Sequence, residues 1–267
     1  MNTIPKQLHL YWDRSPMSML QVYTITSFHK LNPDWDINVY IAYSDIKSEF
    51  NYIPDYTGDN YFHLIAKLNY VYVSIVDLKK YNINNKLHNI LKSDVFRYNI
   101  LYDIGGVWCD FDVLWLKPID SLTETGAESL VSFYNTTYGF HSIGIMMSTV
   151  GGKYMKSLID ECDRILKNLN LDVRPGHQIF GSTMLNRMYP TYDDIKIENI
   201  DAIKQETFYP YSIFNLDALY NKTDLSFIND NVLCVHWFNG HKLSKDFVNN
   251  GMKKECSMKK LIELCQI

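Results

Sequence analysis

Asp110 and Asp112 are two carboxylates separated only by Phe111, inside the apolar run 107–115 (VWCDFDVLW). Side chains alternate faces along a strand, so the spacing predicts Trp108, Asp110 and Asp112 on one face and Cys109, Phe111 and Val113 on the other. Two acids in an apolar strand repel each other and are costly to bury unpaired. A divalent cation relieves both problems, and carboxylate oxygens suit Mg²⁺ or Mn²⁺. A second pair, Asp94 and Arg97, stands three residues apart in a segment with helical character, which sets them on one helix face. Alone, that pair reads as a surface ion pair of little worth. A third group lies late, in Val235-His236-Trp237-Phe238-Asn239-Gly240-His241-Lys242. Imidazole is an acceptable Mn²⁺ ligand beside carboxylates, and an ammonium is a suitable point charge for phosphate. The plainer alternatives are a strand-end histidine and surface lysine.

These groups need elements to hold them. Residues 6–12 read as a first strand, and 17–31 as a helix stopped by Asn32-Pro33. Residues 36–43 alternate like a second strand. Residues 61–81 are a mixed apolar stretch that reads as helix, with 70–73 strand-like. A helix is expected over 93–103, capped by Ser93 and ended by Gly105-Gly106. The acidic run follows as a strand. Further strands are expected over 130–134, 143–148 and 232–238, and helices over 153–169 and 179–188. Strands and helices alternate early, which favours an α/β fold around a mixed sheet. Residues 1–243 read as one catalytic domain and 244–267 as a C-terminal helical tail. The tail sets Lys253, Lys254, Lys259 and Lys260 beside apolar residues. A docked helix with a solvated face is the preferred reading, and peripheral contact with an anionic membrane the alternative.

A chain of 267 residues, 46% hydrophobic and 21% charged, can bury a large core. Its net charge of −4 without a basic block argues against nucleic acid as a partner. Five scattered cysteines without CxxC spacing look like reduced thiols. With no leader or spanning segment legible, the expected location is cytoplasmic.

The stretch 93–113 (SDVFRYNILYDIGGVWCDFDV) resembles the signature of the glycosyltransferases with a DxD sugar-binding motif, the family of fungal initiating mannosyltransferases, α-1,4-galactosyltransferases and the glucosyltransferase domain of large clostridial toxins. The pattern is an Asp and an Arg three apart on a helix, a Leu-Tyr, a Gly-Gly turn, an apolar-aromatic pair and the DxD. The resemblance extends to Ile4-Pro5-Lys6 with the strand ending at Trp12, and to Asn32-Pro33-Asp34-Trp35. Cys109 and Phe111 depart from many members, which carry Leu and a smaller middle residue.

The resemblance implies a GT-A fold, a Rossmann-like nucleotide-binding mixed sheet flanked by helices. It implies a nucleoside-diphosphate sugar as donor, UDP first and GDP second, transfer to a glycan or glycolipid hydroxyl, Mn²⁺ or Mg²⁺, and retention of configuration. Asp112 would be the direct metal ligand and Asp110 would reach ribose or metal through water. Asp94 and Arg97 would hold sugar hydroxyls. His236 would complete the metal shell, and Gly240 and Lys242 would contact the diphosphate. Trp12 would stack on the nucleobase, and a core tryptophan is an equal reading. Residues 174–178 (RPGHQ) stand where members carry an acceptor loop, or form a plain turn before a helix. A glycoside hydrolase needs its two carboxylates on opposite sides of the scissile bond, and a two-metal phosphodiesterase needs more acids and a basic face. A non-catalytic sugar-binding module would need only one of the two charged pairs.

Overall fold

The structure, a computed structural model, describes residues 3–44, 56–135, 140–170, 175–176 and 178–266. Strands β1 (Gln7–Tyr11), β2 (Asp36–Ala42) and β3 (Val71–Val76) pair in parallel, and β4 (Gly106–Cys109) joins β1 in parallel on its other side. β5 (Val113–Trp115) leaves this sheet. β6 (Ser129–Asn135) and β7 (Phe140–Ser148) form an antiparallel pair, β7 lies antiparallel to β4, and β8 (Ile200–Ile203) runs parallel to β6. The sheet order is β3-β2-β1-β4-β7-β6-β8, and β5 pairs with β9 (Cys234–His236) in a separate two-stranded sheet.

The large sheet is covered on both faces, which explains its nearly continuous apolar strands. Leu8 and Leu10 of β1, Val107 and Cys109 of β4, and Ile37 and Val39 of β2 pack with Val22, Ile25 and Phe28 of helix α1 (Met19–Leu31). On the opposite face Tyr11 and Trp108 pack with Val95, Phe96 and Leu101 of helix α2 (Asn89–Ile104) and with Tyr154, Leu158 and Cys162 of helix α3 (Lys153–Asn168). The result is a mixed sheet between helical layers. Helix α4 (Lys242–Asn249) and helix α5 (Ser257–Cys265) form the C-terminal part, where Phe247, Val248, Met258 and Leu261 pack with Leu216, Leu219 and Tyr220. Three of its lysines are engaged locally: Lys254 bonds Asn221, Lys259 bonds Glu255 and Lys260 donates to the Thr223 carbonyl. Among the described residues, no helix is long and apolar enough to cross a membrane.

Three expectations change. The helix carrying Asp94 and Arg97 starts at Asn89, not at Ser93: the His88 side chain accepts from the Ile90 N–H and caps it. Residues 71–76 form an edge strand, in keeping with their β-branched and aromatic content. The acidic run is not one strand. Asp110, Phe111 and Asp112 form a bend between β4 and β5. The bend sets the acids at the carboxyl end of β4, where parallel strands open toward ligands, rather than in the apolar sheet.

The Gly105-Gly106 turn joins α2 to β4, with φ of 71° and 99°. A Cβ on Gly106 would lie 2.4 Å from the Gln7 carbonyl oxygen, so side chains are excluded there. His9, buried in β1, holds this turn. Its Nε2–H donates to the Gly105 carbonyl at 2.8 Å, so neutral Nδ1 accepts from the Tyr40 hydroxyl at 3.1 Å. Burial lowers its pKa from 6.5 to about 4, against the pull of the Gly105 carbonyl. The folded value lies below the unfolded one, so this stability is full above pH 6.5 and lost as pH falls from 6.5 to 4. The loss amounts to about 3 kcal/mol. Urea unfolding across that window should show a shallower fall in stability for His9→Gln than for the unaltered protein. Parallel pH profiles would refute the assignment.

Candidate active site

The carboxyl ends of β1 and β4 and the N-terminal half of α2 border one cleft of about 350 Å³. Trp12, Asp13 and Ser15 line it from the β1 end, Asn89, Ser93 and Arg97 from α2, Asp110, Phe111 and Asp112 from the bend, and Asn239 and Gly240 from the segment after β9.

The small sheet brings the late cluster to the acids. Val113 pairs with His236, and the Trp237 N–H donates to the Asp112 carbonyl at 2.8 Å. The Asp112 carboxylate accepts the Asn239 N–H on Oδ2 at 2.9 Å. Its Oδ1 lies 3.1 Å from His236 Nε2 and takes no well-directed hydrogen bond among the described residues. Burial disfavours the Asp112 anion, but the imidazole and the Asn239 N–H outweigh it and hold the carboxyl below its ordinary value. Burial likewise disfavours the His236 cation, and the two carboxylates outweigh that and raise its pKa.

Asp110 is held differently. Its N–H donates to the Gly144 carbonyl at 2.8 Å, its Oδ1 accepts from Trp108 Nε1 at 2.9 Å, and Arg97 stands 3.2 Å from the same oxygen. Desolvation pushes this carboxyl up against the pull of Arg97. The Asp110 side chain is 33% exposed, open toward the cleft. Arg97 is nearly fully buried. Its guanidinium bonds Asp94 Oδ1 at 2.6 Å, donates to the Ile143 carbonyl and lies over the Trp108 ring, 4.9 Å from the centroid. It links α2, β7 and the bend.

Asp110, Asp112 and His236 each offer one ligand atom, and these atoms all lie within 4.8 Å of one another. Two carboxylate oxygens and one imidazole nitrogen, with Asp112 Oδ1 buried and short of a partner, fit a hard divalent cation. The acids therefore reach one point although they do not share a strand face.

Several residues stand elsewhere than the sequence reading expects. Asp94 is 4% exposed and turned onto Arg97, so it reaches the cleft only through that guanidinium. Trp12 lines the cleft but is 7% exposed, edge-on to Phe111 at 5.0 Å, with Nε1 donating to the Ser15 carbonyl. Lys242 pairs with Asp246 on the outer face of α4 and is 82% exposed. His241 caps α4 by accepting from the Leu243 N–H. Gly240 does line the cleft. Arg174 and His177, in the segment expected to meet the acceptor, lie outside the described residues. Sequence reasoning gives no site role to Trp108, Gly144, Tyr209, Phe238 or Asn239. Trp108, Phe238 and Asn239 carry a signal, by adjacency to the motifs.

Comparison with known proteins gives a consistent picture. Residues 18–129 match the family model described as the glycosyltransferase sugar-binding region containing the DXD motif. No curated protein matches the chain. Among solved structures, the galactosyltransferase LgtC in complex with donor and acceptor sugar analogues superposes with a TM-score of 0.53, over 97% of this chain and 95% of that one, at 12% identity. The apo form of the glycosyltransferase GlyE from Streptococcus pneumoniae TIGR4 superposes with a TM-score of 0.56, over 98% of this chain and 60% of that one, at 11% identity. The present chain thus spans about three fifths of GlyE. At these identities the likeness speaks to the fold, which is of the GT-A type.

Proposed function

We propose that this chain, a glycosyltransferase of the family that carries the DXD sugar-binding region, moves a sugar from a nucleoside-diphosphate donor, UDP-linked, to a hydroxyl of a glycan or glycolipid. The observation that carries the reading is the convergence of Asp110, Asp112 and His236 on one point at the mouth of a cleft that also contains Arg97. A Mn²⁺ or Mg²⁺ ion held by these three would neutralise charge on the leaving diphosphate.

This chain's own residues do the rest. The Asn239 N–H fixes Asp112 Oδ2, which leaves Oδ1 directed at His236. Trp108 and Arg97 fix Asp110 with one side facing the cleft. Arg97 supplies a buried, permanent positive charge at the cleft wall, kept in place by Asp94 and the Ile143 carbonyl. Such prearranged charges need no reorganisation when the diphosphate departs. Trp12 and Phe111 give one end of the cleft an aromatic edge, suited to a nucleobase. The family resemblance supports retention of configuration.

Donor hydrolysis without acceptor tests this reading. UDP- and GDP-sugars are incubated with Mn²⁺, Mg²⁺ or EDTA, and the released nucleotide is measured. We expect UDP release from one donor with either ion and none with EDTA. GDP release instead would select a mannosyltransferase-like reading. Nucleotide binding without release, even with a panel of acceptor sugars, would indicate a binding protein. NMR of the product anomer reads retention directly.

A further inference from the structure

A metal-binding histidine is normally aimed by a hydrogen bond from its other ring nitrogen to a carboxylate or a carbonyl. His236 departs from that pattern. Nε2 faces Asp112, whereas Nδ1 is buried with no hydrogen-bond partner among the described residues. Two aromatic rings pack against the imidazole instead. Phe238 is edge-on to the imidazole, with centroids 4.4 Å apart and planes at 70°. Tyr209 packs against it at 5.1 Å, tilted by 41°. The Tyr209 ring is itself fixed by burial, and its hydroxyl also meets Ser142 Oγ. That Oγ also accepts the Gly144 N–H at 3.3 Å.

Gly144 closes the same space from below. A Cβ at this position would lie 3.2 Å from His236 Nε2, 3.2 Å from Tyr209 Oη and 3.3 Å from Asp110 Oδ2. Each distance is tight, so a side chain requires the neighbours to yield. They have little freedom to do so. His236 is packed against two rings, Tyr209 is buried, and Asp110 is tied to Trp108 and Arg97. Room for the ligand atoms, rather than backbone freedom, explains the glycine.

We infer that Tyr209 and Phe238 are positioning residues that aim His236 by packing, and that Gly144 is the bare floor that leaves space for a cation among its ligands. This rests on the reading of Asp110, Asp112 and His236 as a divalent-cation site. The packing is apolar and the chemistry of the clamp is shape, so it predicts which changes matter. Losing the Tyr209 ring matters; losing only its hydroxyl does not.

The test titrates Mn²⁺ alone into the full chain and follows binding by calorimetry and by water-proton relaxation, without donor or turnover. Tyr209→Leu and Gly144→Ala should each weaken Mn²⁺ binding about tenfold or more, the size of effect that outer-shell changes produce. Tyr209→Phe should restore affinity close to that of the unaltered protein. Circular-dichroism melts establish that each variant is folded. A folded Gly144→Ala or Tyr209→Leu with unchanged affinity would overturn the inference. Should Tyr209→Leu not fold, Tyr209→Phe and Gly144→Ala decide it, because a Phe variant as weak as the Ala variant assigns the effect to the hydroxyl and overturns the clamp. Failure of the unaltered protein to bind Mn²⁺ is a separate result, which removes the cation site and this inference with it.

Discussion

Asp112→Asn should lower metal-dependent release of nucleoside diphosphate by about a hundredfold to a thousandfold, the scale of losing one prearranged electrostatic contact to the leaving group. The amide keeps the shape of the carboxylate, and its carbonyl oxygen still accepts the Asn239 N–H that now reaches Oδ2. The charge that faces His236 is lost. Folding should therefore be nearly intact, because the main-chain bond from Trp237 to the Asp112 carbonyl and the β5–β9 ladder do not involve the side chain. Mn²⁺ titration, turnover and a melting curve on one preparation make the result decisive. A folded variant with turnover equal to that of the unaltered protein would remove Asp112 from the cation site.

Arg97→Ala should have the largest effect on stability. The guanidinium is the shared partner of Asp94, Asp110, the Ile143 carbonyl and the Trp108 ring. Removing one member of a buried pair strands the other, at a typical cost of about 3–5 kcal/mol. Asp94 is the stranded group. Burial already pushes its pKa up to about 7, against the pull of Arg97 beside it. Without Arg97 that pull is gone, and the value moves higher. A carboxyl whose folded pKa exceeds the unfolded value is most favourable when protonated, and its contribution is lost as pH rises through the folded value. The variant should therefore be hurt more at pH 8 than at pH 5.5. Adding Asp94→Asn to Arg97→Ala should return part of the stability at pH 8, because the uncompensated charge is then absent. Urea unfolding of both variants at the two pH values measures this. A double variant no more stable than Arg97→Ala at pH 8 would show that Asp94 is not the stranded charge. Turnover should fall in Arg97→Ala as well, because Asp110 loses a partner that fixes it.

Much of the site was legible in the chain. The i,i+3 spacing of Asp94 and Arg97 led to a real ion pair, though a buried one rather than a surface one, the Gly-Gly turn ended the helix, and the late histidine came to the acids. What escaped was geometry set by distant packing. Local alternation could not reveal that the run 107–115 splits between two sheets, because both halves are equally apolar and the decision lies with β7 and β9. Lys242 has the right charge in the right neighbourhood, yet Asp246 stands one helical turn on and takes it. Asp94 is drawn from the cleft by the same Arg97 that the motif pairs it with. Tyr209 and Gly144 sit far from any motif and act through contacts that no spacing rule encodes.

The ladder between β5 and β9 joins Val113 to His236, residues about 120 positions apart and farther separated than in any other strand pair among the described residues. Closing so long a stretch is entropically costly and favours late formation. By contrast β1, β2 and β3 pair between near neighbours in sequence. A chain emerging from the ribosome can thus assemble the parallel sheet, the Gly-Gly turn and α2 before His236 has been synthesised. Such a nascent chain already carries both aspartates, but His236 follows them by more than 120 residues. By this topology, formation of the β5–β9 ladder and the gathering of Asp110, Asp112 and His236 are a single late event.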